Sequence, residues 1–226
     1  MLSTGNDIIS LAHINTLRTR EMRFYDKVLT PSELEIYRAG DCGSMPFEIF
    51  VWLAWSIKEA AFKYQSRSMA DIVFSPLKIH IQSINYPQQN AIKNFGRLQY
   101  ETTSFPEEFA FQGIASCGGA FFHFRSVIYQ ELIHTVVNKD EAFGNIWWGI
   151  KIIECSDHQS QSAEVRSFLL KKLQAVLPNQ KLSIAKTEAG RPVILNEAKE
   201  MNLPVSITHH YHFVAYSFLL SGSYMV

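Results

Sequence analysis

The stretch from Pro46 to Gln65 constrains the fold of this chain more than any other. Behind Pro46, the apolar residues Phe50, Leu53, Ile57, Ala60 and Ala61 recur at three- and four-residue spacing. That is the period of an α-helix with one buried face, and it predicts a long helix over about Phe47 to Gln65. A shorter helix is expected just before it. Thr30 stands at the N-cap, Pro31 at the first helical position and Glu33 three residues after the Thr, which is the pattern of a capping box. That helix should run to about Arg38 and stop in the loop Ala39–Gly43. Thr16–Arg23 reads as the start of another helical segment, and Asn6–Leu11, behind Gly5, as an opening strand.

From Ile72 to Val137 the pattern turns to strands, in the runs 73–84, 97–105, 108–116 and 120–137. Pro76, Pro87, Gly96, Pro106 and Gly118-Gly119 interrupt them. The polar segment Asn138–Asn145 is the best candidate linker. Beyond it the reading is a strand (Trp147–Glu154), a helix (about Ser162–Val176), a strand (Leu182–Lys186), a Gly190-Arg191-Pro192 turn, and two final strands, Pro204–Thr208 and Phe213–Leu220. Gly5–Ser10 aligns with Gly149–Glu154, and Gly113–Cys117 with Val205–His209, as in a weak internal repeat. The expected fold class is therefore α+β, with two pseudo-symmetric halves in one chain, residues 1–140 and 145–226. A site would lie in the cleft between them.

Composition narrows the class. The 226 residues carry 21 Lys+Arg and 21 Asp+Glu, so bulk electrostatic binding to nucleic acid or an anionic membrane is not expected. Hydrophobic residues make up 47% and charged residues 19%, an ordinary globular balance. No apolar run approaches the length of a membrane helix, and no basic stretch opens the chain as in a signal peptide. Cys42, Cys117 and Cys155 share no metal-binding spacing. A reduced, cytoplasmic monomer is the expectation.

Three clusters bear chemistry. Asp7 sits among apolar neighbours in the opening strand, either as a strand-end side chain facing solvent or as a buried carboxylate that needs a partner. Glu59 and Lys63 are four apart on the long helix, beside Trp52 and Trp55; they form either an ordinary surface pair or part of a cleft wall. The third cluster is Gly190-Arg191-Pro192 with Ser206-Ile207-Thr208-His209-His210. A His at a strand end beside hydroxyls suits a phosphate. His209 is read as the functional one, with His210 and His212 at the surface.

Taken in order, these residues resemble the 4′-phosphopantetheinyl transferase superfamily. The resemblance rests on Gly5-Asn6-Asp7, the Arg23–Leu34 segment, the complete Trp-Ser-x-Lys-Glu-Ala-x-x-Lys run from Trp55 to Lys63, Gly190-Arg191-Pro192 and Ser206–His209. The motif order is like that of the holo-acyl-carrier-protein synthases, whereas the length is that of a fused, two-half enzyme. Asn6 and Ser10 depart from the family pattern. Lys151 falls where the second half would carry its own Asp, so a single metal centre is expected.

The resemblance implies transfer of the 4′-phosphopantetheine arm of coenzyme A to a serine of an acyl or peptidyl carrier protein. Asp7 and Glu59 would hold Mg²⁺, and Glu59 and Lys63 would be catalytic. Lys58, Lys63, Gly190, Arg191, Pro192, Ser206, Thr208 and His209 would bind coenzyme A, with Ser206 and His209 at the 3′-phosphate and Arg191 and Pro192 at the adenine. The basic residues Arg18, Arg20, Arg23 and Lys27 are a candidate docking surface for an acidic carrier. The alternative is a relative that binds coenzyme A or a carrier without turnover.

Overall fold

The computed structural model describes residues 3–39, 45–69, 72–87, 99–102, 109–129 and 131–220, with 99–102 as backbone. The expected loop around Cys42, the breaks at Gly96 and Pro106, and most of the expected strand 97–105 lie outside the described residues.

The chain opens with β1 (Gly5–Ser10), the short helices α1 (Thr16–Thr19) and α2 (Met22–Tyr25), and α3 (Pro31–Ala39). The capping box at α3 is present. Thr30 N donates to Glu33 Oε2 at 2.8 Å, and Glu33 N donates back to Thr30 Oγ1 at 3.4 Å. Next comes α4 (Phe47–Ser66), whose Phe50, Leu53, Ile57, Ala60 and Ala61 are all fully buried.

Strands follow: β2 (His80–Asn85), β3 (Gln99–Thr102), β4 (Phe111–Cys117), β5 (Ala120–Tyr129), β6 (Leu132–Asn138) and β7 (Ile146–Ile152). The chain ends with α5 (His158–Val176), β8 (Leu182–Lys186), β9 (Pro192–Asn196), β10 (Lys199–Glu200), β11 (Val205–His210) and β12 (Phe213–Leu219).

Several expected boundaries move for local reasons. The run 120–137 is two strands of a hairpin. Pro76–Lys78 forms a 3₁₀ turn, so strand pairing begins only at His80. Helix α5 starts at His158 because Asp157 Oδ1 accepts from Gln159 N and Ser160 N, both at 3.0 Å. Its first turn is polar throughout, so apolar spacing did not reveal it. The strands β9 and β10 were not anticipated.

Two antiparallel sheets organise the molecule, in orders β1-β6-β5-β4-β2 and β11-β12-β7-β3. The small sheet β10-β9-β8 flanks the second. Helix α4 covers one face of the first sheet, and α5 covers the second. Alternation along the strands builds a shared core between the inner faces. In β1, Ile9 faces the α4 core while Ile8 joins Val136, Trp148, Ile150, Phe213 and Ala215 between the sheets. In β12, Val214, Tyr216 and Phe218 face α5. Strand β3 precedes the 138–145 segment but pairs with β7 of the second sheet. No helix among the described residues is long and apolar enough to cross a membrane.

One glycine sets how closely β1 approaches α4. A Cβ on Gly5 would lie 2.0 Å from the Ala60 carbonyl oxygen and 2.8 Å from Tyr64 N, so only glycine fits. That contact brings Asp7 to the helix.

Lys58, expected to bind coenzyme A, does not reach the cleft. Its side chain is fully buried, with Nζ donating to Val28 O at 2.6 Å and to Glu33 Oε2 at 2.7 Å. Glu33 also accepts from Ile81 N at 2.8 Å, so the pair ties α3, α4 and β2 together. Lys58→Met leaves the Glu33 carboxylate buried and uncompensated. It should cost about 3–5 kcal/mol of stability in chemical denaturation.

Candidate active site

Strands β1 and β11 belong to different sheets and meet at their edges. Two N–H groups on the outer edge of β1 are taken by side chains of β11. Asn6 N donates to Ser206 Oγ at 3.1 Å, and Ser10 N donates to His210 Nδ1 at 2.7 Å. Each pair is separated by the same 200 positions, so the two strands run in the same direction. Ser206 Oγ donates in turn to Asn6 Oδ1 at 3.0 Å, which gives Asn6 a structural task at this seam. Ser206 is therefore bound to β1 through its hydroxyl.

Asp7 follows Asn6 and is buried at 2% exposure. Lys63 Nζ donates to Asp7 Oδ1 at 2.9 Å and to Thr208 Oγ1 at 3.1 Å, and it lies 3.1 Å from Glu59 Oε1. Thr208 Oγ1 donates to Asp7 Oδ1 at 3.3 Å. Trp55 Nε1 donates to Glu59 Oε2 at 2.8 Å and holds that carboxylate against the helix. Asp7 Oδ2 is buried and has no hydrogen-bond partner among the described residues. Two carboxylates and one ammonium thus converge, with one carboxylate oxygen left over.

The environment pulls these groups apart in acidity. Burial pushes the Asp7 carboxyl up to about 7; the Lys63 charge opposes this and the Glu59 charge adds to it. Burial acts on Glu59 too, but the charge of Lys63 and hydrogen bonds from Lys63 and Trp55 outweigh it and hold the group below the usual range. Lys63 is pushed up, since the two carboxylates overcome its desolvation. Near neutral pH, Glu59 is ionised and Asp7 is at its midpoint.

A cavity of about 460 Å³ opens beside this cluster. Glu59, Lys63 and Arg67 line one wall, Gly190, Arg191 and Pro192 another, and Ser206, Thr208 and His209 a third. At Gly190 the backbone turns at φ 78°, with Gly190 N donating to Thr187 O at 2.8 Å, which swings Arg191 toward α4. There Arg191 Nη1 donates to Ser66 O, while Arg67 Nη2 donates to Pro192 O (3.1 Å) and to Val205 O. The two guanidinium groups share one side of the cleft. Burial, then the charge of Arg191, lowers Arg67 to about 10, so it remains a cation at neutral pH.

Residues 3–112 match the family model of the 4′-phosphopantetheinyl transferase superfamily. The matched segment holds Asp7 and the whole Trp55–Lys63 motif, and the antiparallel α+β architecture agrees with that superfamily. The match spans 110 of the 226 residues, a little under half of the chain. No curated protein and no solved structure matches the chain.

Of the residues expected from this resemblance, the structure gathers Asp7, Glu59, Lys63, Gly190, Arg191, Pro192, Ser206, Thr208 and His209 around one cleft. Lys58 stands apart. His209 is half-buried, its ring 5.3 Å from that of His158. Burial first, then the charges of His158 and Lys63, lowers its pKa, so it offers a neutral imidazole. His210 and His212 are half-buried, not surface residues. His210 accepts from Ser10 N, and His212 Nδ1 lies 3.1 Å from Ile153 O. In the second half, Lys151 Nζ pairs with Glu164 Oε2 at 2.6 Å.

The sequence reading missed Arg67, His158, Ser162 and Lys186, which also line the cavity. Arg67 had a signal, since Glu59, Lys63 and Arg67 continue one four-residue series along one helix face. The others come from α5 and β8, remote in the chain, and only folding brings them there.

The raised Asp7 pKa makes a signed prediction. The folded state binds the proton more tightly than the unfolded chain, so this term stabilises fully at low pH. It is lost as pH rises from about 3.8 toward about 7. The melting temperature of Asp7→Asn minus that of wild type should therefore climb over that interval and level off above it. A difference that stays flat across the same pH scan would show that Asp7 does not titrate there.

Proposed function

We propose that this chain is a Mg²⁺-dependent 4′-phosphopantetheinyl transferase of the holo-acyl-carrier-protein synthase type. It would move the arm of coenzyme A to a carrier serine and release 3′,5′-adenosine diphosphate. The observation that carries the reading is the Asp7–Lys63–Glu59 cluster at the mouth of a cleft lined by Arg67 and Arg191. A diphosphate brings negative charge, and Lys63, Arg67 and Arg191 all line the cleft that would receive it.

Asp7 and Glu59 are the residues that would hold the metal. They fit a hard cation, because both are oxygen donors and Asp7 Oδ2 is buried without a partner. Among the described residues no three His, Cys, Asp or Glu side chains gather into a metal set, so phosphate and water would complete the shell, as is common for Mg²⁺. The bound ion supplies charge neutralisation at the diphosphate. Glu59, ionised at neutral pH, accepts the serine proton. Lys63 lies within reach of the same phosphates and stabilises the charge that builds on the leaving group. His209 offers an N–H toward the 3′-phosphate, and Arg191 and Pro192 wall the nucleotide end.

We further read the chain as two pseudo-symmetric α+β halves, 1–140 and 145–226, acting as a monomer in the cytoplasm. The repeat of Gly5–Ser10 in Gly149–Glu154 and the pairing of each sheet with one long helix support this. The Lys151–Glu164 ion pair in the second half favours one metal centre, not two. For the carrier, the face of α1 and α2 is the candidate surface. Arg20 and Arg23 already pair with Glu48 and Glu21, and Arg18 lies over the Phe24 ring, which leaves Lys27 as its freest charge.

Incubation with coenzyme A, Mg²⁺ and an acyl or peptidyl carrier should add one phosphopantetheine to the carrier by mass spectrometry. Asp7→Ala and Glu59→Ala should each abolish that gain while the fold persists by circular dichroism. Full transfer by either variant would overturn the assignment. A wild type that binds coenzyme A tightly but modifies no carrier would favour the binding-only relative. His209→Ala should weaken coenzyme A roughly ten- to a hundredfold, and should lose most of the preference for coenzyme A over its 3′-dephospho form. Equal discrimination by both proteins would remove His209 from the 3′-phosphate.

A further inference from the structure

The face of the first sheet that packs on α4 carries a buried polar row. Asp7 on β1 stands opposite Thr135 on β6, and Thr135 stands opposite Ser126 on β5. Directly opposed residues share a face of the sheet, so these three side chains form a line across three strands. Ser56 of α4 comes down on the middle of the line. All four are buried, in a layer otherwise built from Ile9, Phe124, Ile133 and Val137. Ser56 Oγ donates to Thr135 Oγ1 at 3.0 Å, and Thr135 Oγ1 is hydrogen-bonded to Ser126 Oγ at 2.8 Å. A hydroxyl has one proton to give. Thr135 can pass its own to Ser126, which leaves a lone pair turned to Ser56.

We infer that Thr135 is a positioning residue for the cation site: by taking the Ser56 proton, it keeps the lone pairs of Asp7 Oδ2 open to a metal ion. The inference rests on the metal assignment proposed above. Lys63 and Thr208 both bond to Asp7 Oδ1. Ser56 stands near enough to the Asp7 carboxyl to favour its ionised form. Yet Oδ2 has no hydrogen bond among the described residues, because the Ser56 proton is on Thr135. While Thr135 holds Ser56 in this rotamer, Oδ2 stays uncapped. Without that acceptor the hydroxyl is free to turn to the carboxylate, which is the stronger partner of the two. The bond so formed would compete with a cation for the same lone pairs. The hydroxyl row therefore acts on the metal from the core side of Asp7, although it touches neither the cleft nor a ligand.

The test is titration of Mn²⁺ into the full chain with coenzyme A present, following free Mn²⁺ by electron paramagnetic resonance. The pH is held above the Asp7 midpoint of about 7. Thr135→Val keeps the branched shape and removes the acceptor. It should weaken Mn²⁺ about ten- to a hundredfold, the size of one hydrogen bond to a charged group. Thr135→Ala removes the acceptor by a second route and should do the same, should valine distort the sheet. Thr135→Ser keeps the acceptor and should keep the wild-type affinity, although it loses a buried methyl group. Adding Ser56→Ala to Thr135→Val takes away the hydroxyl that caps Oδ2, so the double variant should regain about the wild-type affinity. Damage to the packing would instead accumulate and leave the double variant weaker than the single. Wild-type Mn²⁺ affinity in both Thr135→Val and Thr135→Ala, or a double variant no tighter than Thr135→Val, would overturn the inference and leave the transferase reading standing. A wild type that binds no Mn²⁺ beside coenzyme A would end the metal assignment and the inference together.

Discussion

The site depends on how two sheet edges are joined. An edge strand exposes unpaired N–H groups, and two of those on β1, at Asn6 and Ser10, are met by side chains of β11 instead of by a backbone ladder. Ser206 serves Asn6 in both directions, His210 serves Ser10, and Thr4 Oγ1 lies 3.0 Å from Ser217 Oγ across the same boundary. A backbone ladder would have brought the strands too close for side chains to stand between them. The wider spacing leaves room for Lys63 to enter and touch Asp7 on one strand and Thr208 on the other. The departure at Asn6 thus belongs to the joint, where an aliphatic residue could not return the Ser206 hydrogen bond.

Helix α4 sorts its charges by angle. Lys58 and Lys63 are five residues apart, so they leave the helix on different sides. Lys58 is sealed in the core against Glu33, where one cation meets one anion and three backbone and side-chain donors satisfy the carboxylate. Such a pair fixes geometry and does no chemistry. Lys63 instead faces two carboxylates at a partly open cleft, so the cluster carries an excess oxygen and a proton that titrates near neutrality. The same residue type on the same helix ties the core together in one direction and lines the cleft in the other.

Much of the fold was legible because it rests on local rules. The α3 capping box, the apolar face of α4 and the bounds of β8 follow from residue type and spacing. The start of α5 was hidden since its cap lies in a polar turn, and β9 and β10 were hidden since short strands without alternation leave no period to read. The site was legible where a contiguous motif carried it, in Glu59 and Lys63. It was misread at Lys58, which shares that motif but points inward.

The sequence alone determined that α4 must bury one face and that Asp7, Glu59 and Lys63 lie on elements able to meet. Tertiary structure decided the rest. Burial turned Asp7 from a possible surface carboxylate into one with a pKa near neutral, because desolvation is a property of surroundings and not of spacing. It also brought Arg67, His158 and Lys186 to the cavity that Arg191 and His209 line. Residues so far apart in the chain leave no local pattern, and only the packing of two sheets along one seam makes them neighbours.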